Sequence, residues 1–218
     1  MNPLMNGIQI TDLVYGSPNI PQLNKMKKIG KALATLLDSS EHGMFFNKEY
    51  PSNISTAVRR ELEELQKRTT TITTPDLEFA KESEKDHYGL WIKLLYNNGI
   101  SVPRSFFDNI VENTDGLIFT LKYYYNRPRP VQLGFYHKIP VSPAIYSNAN
   151  SPAFPSGHAM EARLFALILS EKYPFAADKI MDIGDRMAES RLNVGLHYPS
   201  DTEFGYEIAQ WIFFKKCF

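Results

Sequence analysis

Apolar side chains recur at helical spacing through most of this 218-residue chain, and the period-two alternation of a half-buried strand is scarce. The pattern outlines helices over about 22 to 38, 55 to 69, 75 to 97, 104 to 125, 157 to 172, 176 to 193 and 201 to 215. The expected fold is all-α, a single-domain helical bundle over 1–218. Thr74-Pro75 reads as an N-cap followed by proline at the first helical position, and Ser200 to Glu203 as a capping box. Gly195 suits a helix C-terminus, and Pro128 and Pro130 end a helix near Asn126. From Pro130 to Ser156 the chain is rich in Pro, Ser and Asn and is expected to form no element of its own. A loop of that length in a folded domain is usually functional.

Composition narrows the function. Apolar residues make up 43% of the chain, enough for a real core, which excludes a disordered or collagen-like protein. Lys+Arg and Asp+Glu are equal at 24 each, so no global basic excess exists to bind a nucleic acid polymer, and any anion site must be a local arrangement. The lone cysteine, Cys217, forms no internal disulfide, which fits a reducing compartment. The N-terminus lacks the basic and apolar segments of a secretory signal. The apolar runs 164–169 and 208–214 fall far short of the roughly 20 residues that span a bilayer. No membrane span is expected, and the expected location is cytoplasmic.

Two segments, Glu61 to Arg68 and Asp76 to Asp86, are dense in carboxylates. Pairs such as Glu64 with Arg68 and Glu78 with Lys81 fall at helical spacing, as on a solvated face, so these segments read as surface and not as a metal site. No His/Cys cluster has zinc-ligand spacing either.

The chemistry gathers elsewhere. From Gly116 to Met160 there is no Asp or Glu, yet Lys122, Arg127, Arg129, His137, Lys138 and His158 stand there. Uncompensated positive charge concentrated in one segment suits a compact anion. Pro155-Ser156-Gly157-His158 then opens an apolar-periodic helix, where Ser156 can cap, Gly157 lets the backbone approach a ligand, and the helix N-terminus favours an oxyanion. Farther on come Ser190-Arg191, His197 and Asp201. A carboxylate at the head of the last helix can accept from one imidazole nitrogen and fix the tautomer, so that the other presents its lone pair.

Together these stretches, Lys122 with Arg129-Pro130, then Pro155 to His158, then Ser190-Arg191, His197 and Asp201, resemble the type 2 phosphatidic acid phosphatase and vanadium haloperoxidase superfamily. By length the chain is most similar to the soluble class A nonspecific acid phosphatases. The signature region is 122–201; residues 1–100 carry none of it and read as a helical portion without motifs. The resemblance implies a site at the helix ends of a bundle and metal-free phosphomonoester hydrolysis through a phosphohistidine. Position by position, His197 resembles the nucleophile, Asp201 its orienting partner and His158 the general acid. Lys122, Arg129, Arg191, the Ser156 hydroxyl and the Gly157 N–H resemble the phosphate cradle. No cofactor or metal is implied for that activity; the expected partner is a small soluble phosphomonoester, with a homodimer allowed.

Two other readings share the signature. In a vanadium-dependent haloperoxidase the same cradle binds vanadate with His197 as ligand, although such chains are usually much longer. A binding module would hold a phosphoester without turnover, although an intact nucleophile, orienter and acid argue against it. Tyr123 to Tyr125 and Tyr198 are candidates for a substrate pocket, with core packing the plainer expectation. His42, His87 and His137 have no assigned role and read as surface or satisfied core residues.

Overall fold

The computed structural model describes residues 9–31, 33–34, 42–147 and 150–218. Among them every regular element is a helix: α1 (Ile20–Met26), α2 (Gly43–Phe46), α3 (Thr56–Thr71), α4 (Thr74–Lys85), α5 (His87–Tyr96), α6 (Arg104–Tyr125), α7 (Pro130–His137), α8 (Gly157–Lys172), α9 (Ala177–Asn193) and α10 (Pro199–Lys215), with 3-10 turns at Ile10–Asp12 and Pro174–Ala176. The all-α expectation holds. None of these helices is long and apolar enough to cross a membrane.

Three boundaries differ from the sequence reading, each for a local reason. The expected 75–97 helix is two: Asp86 takes an extended backbone (φ −153°, ψ 84°), and its carboxylate accepts from Gly89 N to cap α5. The 130–156 stretch is not wholly irregular. It begins with α7, started by Pro130 at the first helical position behind Arg129, with Gln132 Oε1 accepting from Arg129 N at 2.8 Å. The last helix starts two residues before the expected box. Tyr198 is its N-cap, and the residue reaching back to cap it is Asp201, whose Oδ2 accepts from Tyr198 N at 2.9 Å. The expected 22–38 helix also differs: α1 runs Ile20–Met26, residues 27–30 are not helical, and 32 and 35–38 lie outside the described residues.

The core gathers around α8, against which α9 and α10 both pack. Small residues allow the close approach. A Cβ on Gly184 would stand 3.0 Å from Ala162 O, and one on Gly205 would stand 2.7 Å from Ser156 O and 3.1 Å from Met160 N. On the other side of α8, Phe165 meets Phe107 edge-on at 4.9 Å and Trp91 at 6.0 Å, tying in α6 and α5. A second apolar cluster, with Val58, Leu62, Leu65, Leu133 and Tyr198, joins α3 and α7 to the start of α10. The result brings the C-terminal ends of α6 and α9 and the N-terminal ends of α7, α8 and α10 to one place.

Gly205→Ala tests that packing. Helix propensity alone would favour alanine by up to about 1 kcal/mol. Here the new methyl meets backbone, so a net loss of about 1–3 kcal/mol is expected in urea unfolding; a net gain would contradict the close α8–α10 contact.

Candidate active site

Six of the sequence-predicted residues, Lys122, Arg129, Gly157, His158, Arg191 and His197, line one cavity of about 330 Å³. Each comes from a helix end or the turn beside it. Lys122 lies in the last turn of α6, Arg129 is the N-cap of α7, Gly157 and His158 open α8, Arg191 lies in the last turn of α9, and His197 precedes α10.

The imidazole of His197 is held from both sides. Its Nδ1 lies 3.1 Å from Asp201 Oδ2, and its Nε2 lies 3.0 Å from Arg129 Nη1. A carboxylate accepts and a guanidinium donates, so the proton sits on Nδ1 and the lone pair on Nε2. Burial, then the charges of Arg129, Lys122 and Arg191, hold the His197 pKa well below its ordinary value, which keeps the ring neutral.

Asp201 is itself fully buried and shared. Besides His197 and Tyr198 N, its Oδ1 accepts from Arg127 Nη1 at 2.6 Å. Arg127, with no exposed surface, donates through Nη2 to Glu61 Oε2 at 2.8 Å and lies 3.8 Å from the Tyr198 ring centroid. Glu61 also accepts from Ser200 N at 2.8 Å. This chain of charges braces the histidine from behind.

The cavity-facing cations are differently placed. Lys122 Nζ donates to Pro152 O at 2.8 Å; Arg129 donates to Ser151 O and Leu196 O at 2.8 and 2.7 Å. Neither forms an ion pair with a carboxylate among the described residues. Burial is the main reason both have lowered pKa values, Arg129 to about 10. Arg191 Nη2 reaches Glu84 Oε2 at 2.5 Å, but its Nε and Nη1 are buried without a hydrogen-bond partner. Buried, positively charged donors with no acceptor are costly unless an anion takes them.

Ser156 stands slightly apart. Its hydroxyl accepts from Ala159 N at 3.3 Å as the α8 cap, and its N–H donates to Asp201 O at 2.9 Å, so it supports the cavity wall. None of the candidate tyrosines lines this cavity: Tyr123 and Tyr125 donate to Gln22 Oε1 and Phe45 O, Tyr198 is fully buried, and Tyr124 is exposed, lining with Tyr125 a separate hollow beside Tyr50 and Lys48. Beside the cavity lies a larger hollow of about 580 Å³, which shares Arg129 and Ser147 with it and is otherwise lined by uncharged residues such as Tyr15, Val131 and Ile145.

Sequence reasoning missed four residues. Glu61 and Glu84, read as surface carboxylates, turn inward to Arg127 and Arg191. His87, read as a surface or satisfied core residue, lines the cavity with its ring 5.0 Å from that of His158, and Glu161 lines it too. His137 has a plainer place, with Nε2 2.6 Å from Asn53 O. The carboxylate segments otherwise behave as a charged face, with Arg68–Glu64 and Lys81–Glu78 both at 2.8 Å.

With this geometry the relatives can be placed. The family model described as the PAP2 superfamily matches residues 109–214. The match takes in every signature residue from Lys122 to Asp201 and covers just under half of the chain, so this stretch is similar to that superfamily. Non-specific acid phosphatases of Salmonella typhimurium and Salmonella typhi are 34% and 33% identical to it over 84 residues, 38% of this chain. The match spans 33% of each relative's length. The crystal structure of a transmembrane PAP2 type phosphatidylglycerolphosphate phosphatase from Bacillus subtilis superposes with a TM-score of 0.50, at 19% identity, covering 74% of this chain and 85% of that one. That likeness is one of fold.

Two of the three buried arginines of the signature region, Arg127 and Arg129, should respond differently to removal. Arg127→Met strands Asp201 and Glu61 and is expected to cost about 3–5 kcal/mol. Arg129→Met removes a cation that has no carboxylate partner, so its loss in urea unfolding should be clearly smaller; equal losses would contradict this division.

Proposed function

We propose that this protein is a metal-independent phosphomonoesterase that works through a phosphohistidine on His197. The observation that carries this reading is the meeting, in one cavity, of a neutral imidazole with a fixed Nε2 lone pair and three buried cations, of which Lys122 and Arg129 have no carboxylate partner among the described residues and Arg191 has two buried nitrogens without a hydrogen bond. Three fixed cations match the charge spread over the equatorial oxygens of a transferring phosphoryl group, where electrostatics and positioning supply most of the catalysis. The acid phosphatase relatives support the same reaction class.

The steps follow from the geometry. A phosphomonoester seats its phosphoryl oxygens on Lys122, Arg129, Arg191 and the Gly157 N–H, drawing Arg129 away from Nε2. His197 Nε2 attacks phosphorus and the P–O bond to the leaving group breaks. Asp201 stabilises the imidazolium that develops, and Arg127 holds Asp201 in place through its Oδ1. His158 gives a proton to the departing oxygen, then takes one from the water that hydrolyses the phosphohistidine, yielding alcohol and phosphate. In the free protein, burial and then the Arg191 charge hold the His158 pKa well below its ordinary value. The charge of a bound phosphoryl group reverses part of that effect.

His197→Ala is expected to leave less than about a thousandth of wild-type turnover of p-nitrophenyl phosphate; more would remove it as nucleophile. A depressed pKa keeps His197 unprotonated in acid. kcat/KM for p-nitrophenyl phosphate should therefore persist to about pH 5, and an acid limb at the ordinary histidine value would contradict the assignment.

A further inference from the structure

The half of the cavity beyond His158 carries groups that phosphate binding does not use. Glu161 lies one turn past His158 on α8, on the same face, and its carboxyl lines the cavity. His87, from α5, stands between them. Its ring meets that of His158 edge-on, its Nδ1 lies 3.3 Å from Ser83 Oγ, and its Nε2 is buried without a hydrogen-bond partner, 3.9 Å from Glu161 Oε2. The other charged groups around Glu161 are Asp115 and Lys122 from α6 and Lys25 from α1, with Lys25 Nζ and Asp115 Oδ2 paired at 2.9 Å. The α5 residue Tyr88 and the α9 residue Arg191 are further ionisable neighbours, and Glu84 of α4 with Asp86 act on His87.

Resting on the phosphatase reading, we infer that Glu161 is the proton store of the reaction: it holds the proton that His158 delivers to the leaving oxygen, with His87 as its positioning partner. The cluster favours this division of labour. Burial, and then Asp115, raise the Glu161 pKa to about 8, so its carboxyl is protonated at neutral pH. Burial lowers that of His87 to about 3, so this ring stays neutral; with the Ser83 hydroxyl donating to Met187 Sδ, its oxygen accepts from Nδ1–H, which leaves the Nε2 lone pair toward the carboxyl. His158 alone is a poor proton holder in the free protein, since it is buried and Arg191 and Lys122 stand near it.

When the phosphoryl anion enters the cradle, His158 gains basicity and a proton moves to it from Glu161 through the shared cavity, leaving a carboxylate and an imidazolium. P–O cleavage transfers that proton to the leaving oxygen. During hydrolysis of the phosphohistidine His158 takes a proton from the attacking water, and this proton returns to Glu161. The cycle consumes one ester and one water and restores both groups.

Glu161→Gln tests this. Turnover of an alkyl ester such as glycerol 2-phosphate needs a proton on its leaving group, while that of p-nitrophenyl phosphate needs little. The ratio of the two kcat/KM values should fall about tenfold, and for the alkyl ester the alkaline limb should move about one unit or more toward acid. Asp115→Asn provides a second readout that keeps Glu161 in place: removing that neighbouring charge lowers the Glu161 pKa, so the alkaline limb should again move toward acid. If the ratio and both limbs match wild type while p-nitrophenyl phosphate is still hydrolysed, the proton store is refuted and the phosphatase reading stands. If the wild-type protein releases no phosphate from either ester, the phosphatase reading itself fails.

Discussion

One buried carboxylate organises the site. Asp201 fixes the tautomer of His197, caps the helix it belongs to through Tyr198 N, and holds Arg127. Its backbone carbonyl accepts from Ser156 N, which joins the head of α10 to the head of α8. A carboxylate so thoroughly removed from water is costly to bury unless donors surround it as they do here. The geometry of the site and the local fold therefore depend on the same four contacts.

The surrounding charges fall into two kinds. Arg127 has carboxylates on both sides and carries structure. Lys122 and Arg129 lean on backbone carbonyls and keep their charge unspent, at a cost in folding that burial makes plain in their lowered pKa values. Arg191 stands between, tethered by Glu84 at one nitrogen and open at two others. Such a division is what a site built for a small anion requires, because cations fully paired in the folded protein would have little left for a ligand.

Much of this was readable in the sequence. The helical period gave most of the helices, and the acid-free window around Lys122 and Arg129 pointed to charge left for a ligand. The missing parts are those fixed by tertiary packing. The break at Asp86 depends on a side-chain cap, and the early start of α10 on Asp201 reaching back, both choices between equally plausible local caps. Glu61 and Glu84 sit in runs with ordinary surface spacing, and only the approach of α3 and α4 to Arg127 and Arg191 distinguishes them from their neighbours. His87 and Glu161 gave no signal beyond residue type; Glu161 stood one turn from His158, and the helix period alone would have put it on that face.

The ion pairs of Arg127 and Arg191 have an implication for how far a signature can travel. Every residue of the motif lies within 122–201, yet Glu61 and Glu84, which pair with the buried Arg127 and Arg191, and His87, whose ring meets that of His158, come from the first hundred positions. A chimera grafting only the signature segment onto another helical scaffold would inherit the reactive groups without their electrostatic counterweights. The unit that must be inherited together is the bundle with both halves of its charge pattern.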